Sequence, residues 1–437
     1  MRRKLRSMYS SEFFRNVATL MTGSTIAQLI ALAIYPVLTK IYTPDEHGLF
    51  SLYMGIIAIT GIVSTGRYQL AILMPAEDKK AVNLAALGLL LSIGVGLILL
   101  VVVALFRGEI AGAFKVPGIE KWLWFVPLST LLIGFFQVSI YWHNRHKQFR
   151  RTAVGNLSQS IINSGVKLTT SGAVPAGGGL ILGAIAGQIT GAGYFLFSWL
   201  RKFKMYFTGI SWAGMREVAV IYYRFPGFNL PNNLVNSISN SLPVFLIGAY
   251  FGAAELGLYS LGFTMIFRPM NLVTNSMEQV FSQRVIKKYT ERISIRRDVI
   301  TLIKRSFQIG IVPFLLAGIF GPLIFRTIFG AEWEVSGRYM QLLIPWFFTA
   351  FMANQLTFIP DLFSLQKTAF MLNIIRLVLR IGGMVVGIWQ QDILLALGLF
   401  SAASFLVVVV TLFWYIRLVR AFEKETIPAA NFTDDLS

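Results

Sequence analysis

The chain has no cysteine, only three histidines, and half as many acidic as basic residues, 20 against 39. Without cysteine there can be no disulfide framework and no thiolate metal site, and the redox compartment stays open. His47, His143 and His146 stand near the ends of apolar runs, at no spacing that suits a zinc site or a catalytic triad, so no metal ligand and no catalytic residue is expected. No Walker-type glycine-rich loop is present, which argues against ATP hydrolysis by this chain, and no cofactor is expected. Charge is scarce as well: 14% of residues are charged, where a soluble domain has about 25%.

What is abundant is apolar sequence. Hydrophobic residues make up 55% of 437, and apolar stretches long enough to cross a hydrocarbon core of about 30 Å as helices recur along the whole chain. A bilayer requires backbone groups to be paired within each segment, which helices achieve. The pattern predicts an all-α polytopic membrane protein with about twelve spans. These fall at 13–39, 48–73, 81–106, 119–142, 152–173, 178–200, 226–250, 254–282, 299–328, 337–361, 368–389 and 393–416. The stretch from Phe13 to Thr39 is too long for a signal-peptide core and lacks a small-residue cleavage pattern, so it reads as a retained first span.

The net charge of +19 does not point to nucleic acid, because the basic residues sit in short loops between apolar runs. They follow the positive-inside rule. With the amino terminus in the cytoplasm, the inner loops hold Arg2 to Arg15, Lys79 and Lys80, Arg145 to Arg151, Arg201 to Arg224, Arg284 to Arg305, Lys367, and Arg417 to Lys424. Only Lys40, Arg107, Lys115, Lys121, Arg326 and Arg338 fall outside. Both termini are then cytoplasmic.

Glu46-His47-Gly48-Leu49-Phe50-Ser51-Leu52 matches Glu255-Leu256-Gly257-Leu258-Tyr259-Ser260-Leu261 at an offset of 209, half the chain. Six spans per half predict two parallel six-helix bundles related by a pseudo-two-fold axis along the membrane normal. The expected organisation is a first bundle at 1–205, a cytoplasmic amphipathic linker at 206–225, a second bundle at 226–420 and a cytoplasmic tail at 421–437. The linker mixes Lys and Arg with Trp212, Tyr206, Phe207 and Val218, as a helix lying on a membrane surface does.

Five cations remain inside spans: Arg67, Lys167, Arg268, Arg376 and Arg380. Each costs about 2.5–3.5 kcal/mol to insert, so each needs a partner or a hydrated cavity. They lie on polar stripes at helical spacing. Asn271, Asn275 and Glu278 follow Arg268; Asn156, Gln159 and Asn163 precede Lys167; Asn373 precedes Arg376; Thr60 and Ser64 precede Arg67. Span 7 carries Asn229, Asn233, Asn236 and Asn240, and span 1 carries Asn16, Thr19, Gly23, Ser24 and Gln28. Stripes on spans 1, 2 and 5 of the first half and 7, 8 and 11 of the second occupy equivalent positions and suggest one central cationic cavity. Helix packing alone is the competing explanation, and Arg67 could also reach headgroups from the inner interface. A cavity with fixed positive charge and no deep carboxylate suits an anionic ligand, because Arg forms bidentate bonds to phosphate oxygens.

The stretch Leu38 to Ala71, with Tyr42-Thr43-Pro44, Gly48-Leu49-Phe50 and Gly66-Arg67-Tyr68-Gln69-Leu70-Ala71, resembles the start of Wzx-type O-antigen and polysaccharide flippases. These belong to the multidrug/oligosaccharidyl-lipid/polysaccharide exporter superfamily. Phe225-Pro226 through Leu230-Pro231, Ser241-Leu242-Pro243, and Phe329-Gly330-Ala331-Glu332-Trp333 with Gly337 and Tyr339 extend the likeness over nearly the whole chain. The lipid II flippase branch typically has fourteen spans and fits less well.

The resemblance implies a non-enzymatic protein of the bacterial inner membrane that moves an undecaprenyl-diphosphate-linked oligosaccharide to the outer leaflet by alternating access. It also implies membrane lipids, a polysaccharide polymerase and a chain-length regulator as partners, and no nucleic acid. In that setting Arg268, Arg376 and Arg380 would hold the diphosphate, Arg67 would receive it, and Lys167 would lie toward the exit. Asn233, Asn236, Asn240, Asn271 and Asn275 would hydrogen-bond the substrate. A drug or small-metabolite antiporter on the same fold is the alternative, and a non-transporting component of cell-wall assembly a third reading.

Overall fold

The computed structural model describes residues 23 and 25–426, apart from 173, 175, 176 and 203. The amino-terminal basic cluster, the start of the expected first span with Asn16, Thr19 and Ser24, and the end of the expected tail lie outside the described residues. Helices joined by short loops make up the described residues, with no strand among them. Seven of the helices are long and apolar enough to cross a membrane.

The long helices fall where the hydropathy placed them. In chain order they begin with α1 (Thr25–Ile41), α2 (Pro44–Val63), α3 (Asp78–Gly112) and α4 (Val126–Arg145). α5 (Phe149–Thr169), α6 (Gly178–Lys202), the short α7 (Trp212–Ile221) and α8 (Leu230–Tyr250) follow. α9 (Ala253–Thr290), α10 (Arg296–Phe329), α11 (Glu334–Ala353), α12 (Gln366–Trp389) and α13 (Ile393–Thr426) complete the chain. The polar-striped α5, α8 and α9 are not among the seven apolar helices.

The chain divides into two compact units, residues 1–260 and 261–437. Within the first, α2 opens on a capping box: the Thr43 hydroxyl accepts from the Glu46 N–H while Glu46 Oε2 accepts from the Thr43 N–H, with Pro44 in the first turn. α3, α4 and α6 enclose a core in which Trp142 stacks on Trp199 at 4.8 Å, with Phe195, Val82 and Val218 around them. His143 is absorbed into this core. Its Nδ1 pairs with the Ser139 carbonyl and its Nε2 with Ser198 Oγ, each at 2.8 Å.

The expected second span, 48–73, is not continuous. α2 stops at Val63, residues Gly66 and Arg67 adopt φ of +56° and +65°, and a 3-10 turn runs over Tyr68–Leu73. A left-handed residue cannot continue a right-handed helix. The loop beyond is clamped by Arg145, whose guanidinium donates to the carbonyls of Ile72, Pro75 and Ala76 and pairs with Asp78 at 2.9 Å. The linker is an ordered element. Ser211 caps α7 by accepting from the Gly214 N–H, and Asn83 of α3 holds it by accepting from the Ser211 N–H at 3.0 Å and donating to the Gly209 carbonyl at 2.9 Å.

The repeated motifs meet each other. A Cβ on Gly48 would fall 1.9 Å from the Ala253 carbonyl oxygen, and one on Gly257 would fall 1.8 Å from the Pro44 carbonyl oxygen. Residue 48 thus faces the equivalent of 44, and residue 44 faces the equivalent of 48. A reciprocal contact of that form is what a two-fold relation produces at its axis. In the second unit, close crossings also rest on small residues, Gly321 against Gly337 and Gly387 against Ala396, as membrane helices commonly do.

Gly48→Ala and Gly257→Ala are each expected to destabilise the protein by about 1–3 kcal/mol through overpacking against backbone. The double variant should lose less than the sum, because one crossing is shared. Thermal unfolding of the detergent-solubilised protein reads this. Gly193→Ala, whose Cβ would meet nothing within 4 Å, should cost nothing.

Candidate functional site

The break after α2 is what presents Arg67. Its Nε donates to Asn229 Oδ1 at 2.9 Å, across 162 residues of sequence. Asn229 closes a π-turn, Phe225–Asn229, and is fixed in turn by Asn233, whose Nδ2 donates to the Asn229 carbonyl at 2.8 Å and to its Oδ1 at 3.0 Å. A non-glycine residue in the left-handed region costs on the order of 1–3 kcal/mol and survives only where its surroundings over-determine it. π-turns likewise concentrate at functional sites. Two local irregularities therefore converge on one half-buried guanidinium. Beside it, Thr65 donates to Gln69, and Gln69 Nε2 donates to Gln137 Oε1 at 2.9 Å, which extends the polar surface onto α4.

Lys167 is buried, with Nζ 4.2 Å from the centroid of the Phe50 ring and its carbonyl accepting from the Tyr42 hydroxyl at 2.6 Å. Gly183 and Gly187 of α6 face its stripe: a Cβ on Gly183 would sit 2.5 Å from Lys167 Cγ, and one on Gly187 would sit 2.9 Å from Asn163 Cβ. Part of this stripe is thus the packing face between α5 and α6. His47, also buried, lies between the rings of Tyr35 and Tyr42.

In the second unit, Arg376 is half-buried on α12 and donates to Asn373 Oδ1 at 2.9 Å, one turn earlier. Arg380, one turn later, is 0% exposed. Its guanidinium lies 4.5 Å from the Trp346 ring and 4.7 Å from Phe400, and its Nε donates to Ser404 Oγ at 2.7 Å. Held between two aromatic faces, it offers no surface to a ligand in this structure. Arg268 is half-buried on α9, directly before Pro269, which removes a helical N–H from that turn.

Asn233, Asn236 and Asn271 are half-buried, whereas Asn240 and Asn275 are exposed. Glu278 accepts from Thr357 at 2.7 Å. Among the sequence-derived residues, Arg67 and Asn233 are brought together through Asn229. Asn229 was visible only as one asparagine in a stripe, and its role depends on a distant break in α2. Among the described residues, no group of His, Asp or Glu could hold a metal ion.

This arrangement of helices is shared with solved structures of MATE family transporters. It superposes on the inward-facing conformation of a multidrug resistance MATE family transporter with a TM-score of 0.65 and 14% identity, covering 93% of this chain and 96% of that one. The chain belongs to the polysaccharide biosynthesis protein family, whose profile matches residues 37–338. It is similar to the amylovoran biosynthesis protein AmsL of Erwinia amylovora, 25% identical over 120 residues, which are 27% of this chain and 30% of that protein. It is also similar to the teichuronic acid biosynthesis protein TuaB of Bacillus subtilis (strain 168), 25% identical over 133 residues, 30% of this chain and 26% of that one. The chain thus spans less than a third of the length of these relatives. With seven helices long and apolar enough to cross a membrane among the described residues, it is a multi-pass membrane protein.

Arg380→Ala is expected to cost about 2–5 kcal/mol, the range for emptying a large core site. Arg380→Met, which keeps the volume and removes a buried charge, should retain most of the stability. Unfolding midpoints in detergent distinguish the two.

Proposed function

We propose that the protein is a flippase that carries an undecaprenyl-diphosphate-linked oligosaccharide, an O-antigen or related repeat unit, from the cytoplasmic to the outer leaflet by alternating access. The observation that carries this reading is the Arg67 guanidinium, presented at a break in an apolar helix and oriented by Asn229. A preorganised cation suits a diphosphate, because charge-assisted bonds to phosphate oxygens strengthen in low dielectric. The names of the relatives, both polysaccharide biosynthesis proteins, favour a saccharide cargo.

In this reading twelve spans form two six-helix bundles, with both termini in the cytoplasm of a bacterial inner membrane. The reciprocal contact of Gly48 and Gly257 supports the repeat behind that arrangement. Arg67 receives the diphosphate, Arg268 and Arg376 hold it, and Lys167 lies toward the exit. Asn233, Asn236, Asn240, Asn271 and Asn275 hydrogen-bond the headgroup and sugars. Arg380, enclosed by Trp346 and Phe400, fixes the helix that carries Arg376 and does not touch the cargo. A polymerase and a chain-length regulator act on the delivered unit.

Arg268→Glu and Arg376→Glu should each abolish polysaccharide export in a strain lacking other flippases, with the variants still present in the membrane. Intact export would refute the assigned roles. Asn229→Leu should reduce export nearly as far as Arg67→Ala, with the double variant no worse than either single one, because the two act as a unit. Additive losses would separate them.

A further inference from the structure

Two apolar cavities adjoin on one flank of the first unit, beneath the linker helix. The larger, about 480 Å³, is walled by Val82, Ala86 and Ile93 of α3, Phe135 of α4 and Leu196 of α6. The smaller, about 370 Å³, is bounded by Leu87, Trp212, Arg216 and Ala219. Leu90 and Met215 line both and form the partition between them. Each volume falls in the range of about 300–1,000 Å³ usual for small-molecule sites.

Their roof is α7, pinned by Asn83 and by the Lys80–Glu217 ion pair at 3.3 Å. The helix is amphipathic, and apolar side chains on it and just past its end are exposed. Trp212 is 72% exposed, and Val220 and Tyr223 are exposed with it. Trp and Tyr alternating with Arg mark the boundary between hydrocarbon and water. Such a helix suits a membrane surface.

Charge at the cavity mouths is one-sided. Glu217 is engaged by Lys80. Arg216, exposed and lining the smaller cavity, makes no ion pair among the described residues. Neither does Lys79, whose stem lies 3.7 Å from where a Cβ of Gly209 would be, beside Val82 of the larger cavity. Two grooves divided by a thin apolar partition, each with an uncommitted cation nearby, match a ligand with two hydrocarbon chains and one anionic head.

We propose that these cavities hold the two acyl chains of one anionic phospholipid, with its phosphate engaged by Arg216 and Lys79, and that this lipid fastens the linker helix to α3. A zwitterionic lipid fits less well, since its ammonium would be repelled by the same two cations.

Native mass spectrometry of the full-length protein, offered equimolar phosphatidylglycerol and phosphatidylcholine of identical chains, tests this. Phosphatidylglycerol should be retained preferentially, and the double variant Lys79→Ala/Arg216→Ala should lower its retention roughly tenfold or more. Equal retention of the two lipids, or retention unchanged by the double variant, overturns the proposal. Single-chain lyso-phosphatidylglycerol reads the two-groove arrangement without mutation: it should be held more weakly than the two-chain lipid, and equal retention would contradict a site built for two chains. Ala86→Phe, which fills the larger cavity, should lower retention of phosphatidylglycerol if its unfolding midpoint matches the parent protein.

Discussion

A guanidinium or ammonium inside a helical membrane protein must be given solvation that hydrocarbon cannot supply, and much of this structure answers that requirement. Insertion costs about 2.5–3.5 kcal/mol per cation at helix centres, so each of the deep cations draws its own surroundings into shape. Arg67 is met by an amide oxygen from a distant turn, Lys167 by an aromatic face, Arg376 by an asparagine on its own helix, and Arg380 by two rings and a hydroxyl. These solutions are not equivalent. Arg380 is consumed by packing, whereas Arg67 donates to Asn229 among the described residues, a geometry compatible with a second, anionic partner.

The same constraint accounts for the irregular backbone. Non-helical backbone within or at the edge of a bilayer needs protein or water to satisfy its polar groups. Here the left-handed Gly66–Arg67 step and the π-turn over Phe225–Asn229 lie against each other and satisfy one another through Asn229 and Asn233. Arg145 stabilises the chain beyond the break by collecting three loop carbonyls and Asp78. The strain at Arg67 is thus supported by two elements outside its own helix.

Helix positions were legible in the sequence because length and apolarity are local properties, although the ends of expected spans 254–282, 337–361 and 393–416 differ from those of the observed helices by two turns or more. The match between 46–52 and 255–261 was visible too, and Gly48 and Gly257 lie at one close helix crossing. What the sequence did not disclose depends on long-range geometry. The break in span 2 carries no proline, only a Gly–Arg step that also occurs in uninterrupted helices. The Arg67–Asn229 bond spans 162 residues, and the Asn83 clasp on the linker spans 128. Arg380 shares a polar face with Arg376 in one dimension, yet its immediate neighbours, Trp346 and Phe400, come from other helices. Periodicity identifies a stripe. It does not say whether a stripe meets water or a neighbouring helix, as the glycines of α6 against Lys167 and Asn163 illustrate.

If the fixed cations serve a lipid-linked diphosphate, the purified protein alone should move one across a bilayer. Protein reconstituted into sealed vesicles with a fluorescent undecaprenyl-diphosphate-linked saccharide should equilibrate the probe between leaflets, and Arg67→Ala should stop it. Vesicles that leave the probe in its original leaflet while exporting an organic cation would contradict the account and return the protein to the drug-antiporter reading.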